Sequence, residues 1–347
     1  MKKDNRIYLA PIFIMVLLFT FMFSGMAIAA DKPINLRYAS YVGPTHQITK
    51  ADMVYKDYIE KMTKGKVKIT MYTGATLIPW RESYDGVVKG TADFAYANAE
   101  YAKAYDFTIG RNINVFFYSV TDNNTARIIY NLLRAKFPEI DEEYKATKCA
   151  VAFGNPPYHV LNKTKPIRTI DDFKGQQLKV LKRVIPLMKT LGAVPVPTPM
   201  GEAYVSMQKN IIHGLLAPWE TFKSFRFHEV VKSTTDLGIG QGMTRYRHFN
   251  WKVWNSLPPA VQQVFEESFG LWEDLLDKSA NMATTAGIDL AKKAGVEFIK
   301  LSESDQAKFY KLLEDDARKM AKTIDKKGKP GTAILEETLR LAKKYGK

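Results

Sequence analysis

The five histidines, at positions 46, 159, 213, 228 and 248, are the side chains best suited to move protons or hold a metal, yet their spacing fits no metal-ligand pattern. No His-Glu-x-x-His, Gly-x-Ser-x-Gly, phosphate-loop or Gly-x-Gly-x-x-Gly signature occurs. Cys149 is the lone cysteine, so an internal disulfide and a cysteine-built metal site are both excluded. Nothing here supports an enzyme, and no metal or cofactor is expected. What the chain offers is cationic and aromatic. Its formal charge of +15 favours anionic small molecules or anionic surfaces, with a merely solvated basic surface as the alternative. Nucleic acid is disfavoured, because the lysines and arginines are scattered rather than clustered. Tyr41, Trp80 and Tyr96 fall at or after predicted strand ends, where a ring can face a ligand. One such ring alone is more often core than site, so the inference rests on several falling together.

Those rings need a scaffold. Ile34, Leu36 and Tyr38 alternate as a strand, the residues from Ala51 to Met62 recur at helical spacing, and Val67, Ile69 and Met71 alternate again. Such a βαβ unit joins parallel strands, and open parallel sheets take ligands beyond their carboxyl ends. Tyr41 and the stretch 73–80 therefore stand on a predicted cleft wall, with Trp80 either a stacking surface or a lid on the lobe's edge. His46, in the turn before the helix, is favoured as a cap over a ligand contact. A helix over 123–136 and a strand holding Cys149 complete a first lobe. Phe153-Gly154-Asn155-Pro156-Pro157 then breaks all periodicity and predicts a hinge crossing.

The stretch 167–219 predicts a second α/β layer. Asp171 is placed as a helix N-cap, Gly175 ends that turn, and a short strand runs over 178–180. A helix follows that tolerates Pro186 only in its first turn and stops at Gly192. Pro195-Val196-Pro197-Thr198-Pro199 must be extended, 201–210 is a short helix, and Gly214 turns into another strand. Strand and helix alternate as parallel pairing requires. Farther on, Pro258 and Pro259 open a helix whose apolar period lasts to about Lys293. Roughly 36 residues at 1.5 Å each give about 54 Å, enough to brace two lobes. Helices over 303–322 and 332–344 close the chain.

Residues 1–30 have the build of a leader for export: Lys2, Lys3 and Arg6, then an apolar run over 9–23, then Ala27-Ile28-Ala29. Cleavage near residue 29, or retention as an anchor, both put the domain outside the cytoplasm. Cleavage removes three cations and one anion and lowers the formal charge by two.

The order of "I-x-x-x-D-D-F-K-G-x-x-L-K-V" (167–180), "L-G-A-x-P-V" (191–196), "E-A-Y" (202–204) and a glutamine six residues before Gly214 resembles the solute-binding proteins of tripartite ATP-independent periplasmic (TRAP) transporters, of the dicarboxylate-binding-protein-like type. Pro44-x-His46, Thr63-Lys64-Gly65-Lys66-Val67, Gly90-x-x-Asp93 and Leu257-Pro258-Pro259 extend the likeness over most of the chain. The resemblance implies a two-lobed α/β periplasmic binding protein fold with a central cleft, hinge strands and a long helix bridging both lobes. It divides the chain into a signal peptide (1–30), lobe I (31–155), lobe II (156–245), a return strand with the bridging helix (246–295) and C-terminal helices (296–347).

Relatives commonly hold the ligand carboxylate with an arginine four residues after the glycine of "D-x-K-G", and Lys179 stands there in this chain. Lysine keeps the charge but loses the planar fork. Lys182 and Arg183 are rival anion holders. By the same resemblance Tyr158, Met200, Trp219 and Asn250 line the cleft. With Tyr41, Trp80 and Tyr96 they imply an apolar, aromatic pocket for a small organic anion. The implied protein is a periplasmic, monomeric subunit that delivers its small-molecule solute to TRAP permease subunits. A periplasmic sensor that presents an organic acid to a membrane receptor or kinase shares every one of these features.

Overall fold

The computed structural model describes residues 32–97, 99–181 and 184–346; the leader at 1–30 and the pair Lys182 and Arg183 lie outside the described residues. In chain order the elements are β1 (Ile34–Ala39), α1 (Gln47–Met62), β2 (Val67–Tyr72), α2 (Ser83–Val88), β3 (Phe94–Ala97), α3 (Asn123–Lys136), α4 (Glu139–Glu142), β4 (Lys148–Gly154) and β5 (Tyr158–Asn162). Then come β6 (Gln177–Lys179), α5 (Ile185–Thr190), β7 (Val194–Pro195), α6 (Ala203–Gln208), β8 (Gly214–Ala217), α7 (Thr221–Ser224), β9 (Ser233–Ile239) and β10 (Met243–Phe249). The chain ends with α8 (Trp251–Ser256), α9 (Pro259–Lys293), β11 (Glu297–Lys300), α10 (Glu303–Asp325) and α11 (Gly331–Tyr345).

The βαβ unit forms where alternation and helical spacing place it, with β1 and β2 parallel in the register Ile34↔Val67 to Ala39↔Tyr72. His46 caps α1, its Nδ1 accepting the Ile48 N–H at 3.2 Å. The predicted cap at Asp171 is displaced by two residues. Thr169 caps the 3₁₀ turn Ile170–Phe173, because Asp172 lies three positions on and its Oδ2 accepts the Thr169 N–H at 3.0 Å.

Two sheets result, ordered β2-β1-β3-β10-β4 and β11-β9-β5-β8-β6-β7. The chain passes from the first to the second at residues 155–157 and returns at 240–242. The return is tightly threaded, since a β-carbon on Gly240 would stand 2.0 Å from the Phe117 carbonyl oxygen. The third link is α9, whose 35 residues span about 52 Å. Its first half buries Val261, Phe265, Trp272 and Leu276 in the core beneath the first sheet, and Ala291 near its end joins the core beneath the second. Between them Gly287 lets the helix meet the turn after β8, where a β-carbon would lie 2.3 Å from the Trp219 carbonyl oxygen. At the far end of the chain, Phe309 of α10 stacks on Phe173 of the second lobe, while Glu337 of α11 pairs with Lys136 of the first.

The first lobe is pinned by one buried carboxylate. Asp52 on α1 accepts from Tyr38 Oη at 2.7 Å, from Trp272 Nε1 at 2.8 Å and from Arg247 Nη2 at 2.8 and 2.9 Å. β1, α1, β10 and α9 thus meet at a single group, with the Arg247 side chain fully buried. Removing one partner of such a pair strands a charge in a low-dielectric interior. Asp52→Ala is expected to lower unfolding stability by about 3–5 kcal/mol, measured by urea denaturation. A loss below about 1 kcal/mol would show that the network is dispensable.

Candidate functional site

Strand direction brings the two sheets' loops together. β10 enters the first sheet from the crossing and runs antiparallel to β3, so β3 and its parallel neighbours β1 and β2 end at the crossing side. β5 leaves the crossing antiparallel to β8, so β8 and its parallel neighbour β6 also end there, as does β7 beside β6. The carboxyl ends of all six strands therefore flank one interlobe cleft, the position where α/β sheets take ligands.

Lobe I supplies aromatic surface. Tyr41, just past β1, lies half-buried with its ring centroid 3.6 Å from that of Trp80, and its hydroxyl donates to Tyr96 Oη at 3.0 Å. Trp80 enters after Pro79 in the 3₁₀ turn Trp80–Glu82 and meets Tyr101 edge-on at 5.6 Å, with Arg81 over the far ring. Tyr96 is fully buried, so it backs the pair rather than facing the gap. Behind it the Arg247 guanidinium covers the Tyr96 ring at 4.2 Å. The cleft wall is in this way tied to Asp52.

Lobe II supplies a cation. Lys179 ends β6, half-buried, and burial pulls its ammonium below the usual lysine range. It has no ion-pair partner among the described residues. An ammonium held that way is costly until an anion arrives. Tyr158 opens β5 opposite Ile239, half-buried at the crossing itself. Met200 begins the 3₁₀ turn Met200–Glu202 after β7 and packs on the core beneath the second sheet.

Two predicted site residues stand apart from these. The Trp219 indole N–H donates to Thr234 Oγ1 at 2.9 Å, and its ring stacks on His159 at 3.7 Å, within 7° of parallel. It faces a separate groove of about 790 Å³ that also holds Pro157, Asp236 and Tyr310. There burial holds the His159 imidazole below its ordinary value, although the Asp236 carboxylate lies 3.0 Å away. Asn250 follows β10, at the end of the sheet remote from the cleft. It caps α8 through the Val253 N–H and donates to the Val87 and Val88 carbonyls, which uses both ends of its amide. Arg183, with Lys182, is outside the described residues. Arg247 and Asp52 were not singled out from the sequence. They are 195 positions apart, and no local pattern marks a pair of that kind.

With this geometry in view, the profile of the bacterial extracellular solute-binding proteins, family 7, matches residues 38–323. Among curated proteins, the C4-dicarboxylate-binding periplasmic protein DctP of Rhodobacter capsulatus is 21% identical over 80% of this chain and 84% of its own. A TRAP periplasmic solute-binding protein of Desulfovibrio salexigens, solved in an open form, superposes with a TM-score of 0.81 at 25% identity, over 91% of this chain and 97% of that one. A marine metagenome TRAP protein specific for aromatic acid ligands, solved with metahydroxyphenylacetate, reaches a TM-score of 0.79 at 19% identity, over 90% and 100% of the two chains. The two sheets, the paired crossings and the long bridging helix are the two-lobed fold of those structures. The chain belongs to the family 7 extracellular solute-binding proteins, the binding subunits of TRAP transporters.

Proposed function

We propose that this protein captures a small organic anion with an aromatic or apolar body, closes its lobes on it, and passes it unchanged to a TRAP permease in the membrane. The observation that carries this is Lys179, a half-buried ammonium without an ion-pair partner among the described residues, at a strand end on the same crossing side as the strands that lead to Tyr41 and Trp80. One lobe offers charge and the other offers aromatic surface, so a ligand that satisfies both must join the two. Ligand contact with both lobes favours the closed form by its differential affinity alone, and no nucleotide is required. The DctP relative is named for C4-dicarboxylates and the metagenome protein for aromatic acids. For this chain the ring pair favours the aromatic class. Export by the 1–30 leader places the mature protein in the periplasm, with lobe I over 31–155, lobe II over 156–245 and the return strand and bridging helix over 246–295.

A carboxylic acid present at a hundred times its dissociation constant adds about 2.7 kcal/mol to stability. A thermal-shift screen with benzoate, 3-hydroxybenzoate, mandelate and succinate is expected to raise the melting midpoint for an aromatic acid. Lys179→Ala is expected to abolish that shift; persistence of the full shift in the variant would remove Lys179 from the site.

The pH profile has a definite sign. An anion binds the protonated ammonium, and desolvation brings Lys179 deprotonation to lower pH than in a free lysine. Affinity is therefore expected to hold below that lowered pKa and fall as pH rises through it. In Lys179→Arg, calorimetric titration should find the alkaline loss abolished, because guanidinium stays charged.

Trp80→Ala and Tyr41→Ala test the aromatic wall. Each is expected to weaken an aromatic acid by the equivalent of about 0.5–1.5 kcal/mol while leaving succinate unaffected. Equal losses for both acids would assign the rings to packing alone.

A further inference from the structure

A second groove, of about 810 Å³, runs between α1 and α7 along the flank of α9. Its walls belong to different lobes, and Gln47 Nε2 on α1 donates across it to Glu220 Oε2 at 3.2 Å. Each of the three helices contributes one lysine: Lys50, Lys223 and Lys278. None of the three has an ion-pair partner among the described residues. Glu220, the acidic residue in the lining, is 6% exposed and turned to Gln47. Between the lysines lie Val54, 54% exposed, and Met282, 64% exposed. These are the two most exposed large apolar side chains among the described residues, and both fall in this one groove. Apolar groups left in water beside unpaired cations form a surface that gains by being covered, and methionine adapts to varied partners.

We propose that this groove docks an extracytoplasmic segment of the membrane permease that carries carboxylates beside an apolar side chain. The inference rests on the transport function proposed above. Charge complementarity selects the partner: three lysines without counterions call for acidic groups spaced around one apolar insertion. The groove exists as a unit only while α1 and α7 stand at their present separation. A segment that needs both walls therefore binds this arrangement of the lobes better than one in which α1 and α7 stand farther apart.

The test uses the mature protein and nanodiscs holding the permease subunits of its own transporter, with empty discs of the same phosphatidylethanolamine and phosphatidylglycerol composition beside them. The triple variant Lys50→Glu, Lys223→Glu, Lys278→Glu is expected to bind permease discs at least about tenfold more weakly than the native chain, with its acid-induced thermal shift retained. Met282→Gln, a single surface change, serves if the triple variant does not fold, and is expected to weaken docking severalfold. Equal affinity of native and variant chains for permease discs overturns the proposal. So does equal binding of the native chain to empty discs, which assigns the groove to lipid, or loss of a self-associated form in the variant by light scattering, which assigns it to a second copy. Failure of the native chain to respond to any acid would count against the transport function instead, leaving the docking comparison to be judged separately.

Discussion

The Asp52 carboxylate is the group on which the rest of lobe I depends. Three side chains from three other elements donate to it, and one of them, Arg247, carries the compensating charge at complete burial. Burying two ions is costly unless every lone pair is used, and here both carboxylate oxygens have donors. The same guanidinium lies against Tyr96, which supports Tyr41, which packs on Trp80. The position of the cleft rings is thereby set by a charge pair in the core, through groups in direct contact.

The second constraint is strand direction. Six strand carboxyl ends converge because the two crossings enter and leave at the same strand end of each sheet. Besides the two crossings, α9 links the lobes. That helix is embedded in the first core at Trp272 and in the second at Ala291, with Gly287 clamped at the turn after β8. Lobe I, built on buried ions and stacked rings, is the rigid wall. Lobe II presents Lys179 with its desolvation uncompensated, and in the proposed function that cation is where an anion would bind.

Local features were legible in the sequence. The alternation of Ile34, Leu36 and Tyr38 specified β1, the capping residue and apolar period specified α1, and α3 runs over 123–136 as predicted. Paired prolines and a sustained period gave α9 to within a residue. The cap at 169 was misplaced because two adjacent aspartates offer competing local bonds, and only the one three residues from Thr169 can reach back. β11 went unpredicted, since four residues carry too little period and its partner β9 is remote in the chain. The site was legible as residue types rather than as directions. Tyr41 and Lys179 sit at the strand ends that their sequence positions imply, and Trp80 in the turn that follows β2. Trp219 turns to His159 instead, because the face a side chain takes after a strand depends on packing against α9, which no nearby residue encodes.

In the proposed function an acid draws the two lobes together. Spin labels at Thr76 and Glu202, exposed positions in the loops after β2 and β7, report the width of the cleft directly. Cys149→Ser removes the native thiol, which is only partly buried, so that labels attach at the two introduced positions alone. With the acid that raises the melting midpoint, dipolar distance measurements should show the label separation shorten by more than about 2 Å and its distribution narrow. An unchanged distribution at saturating acid would contradict closure around the ligand.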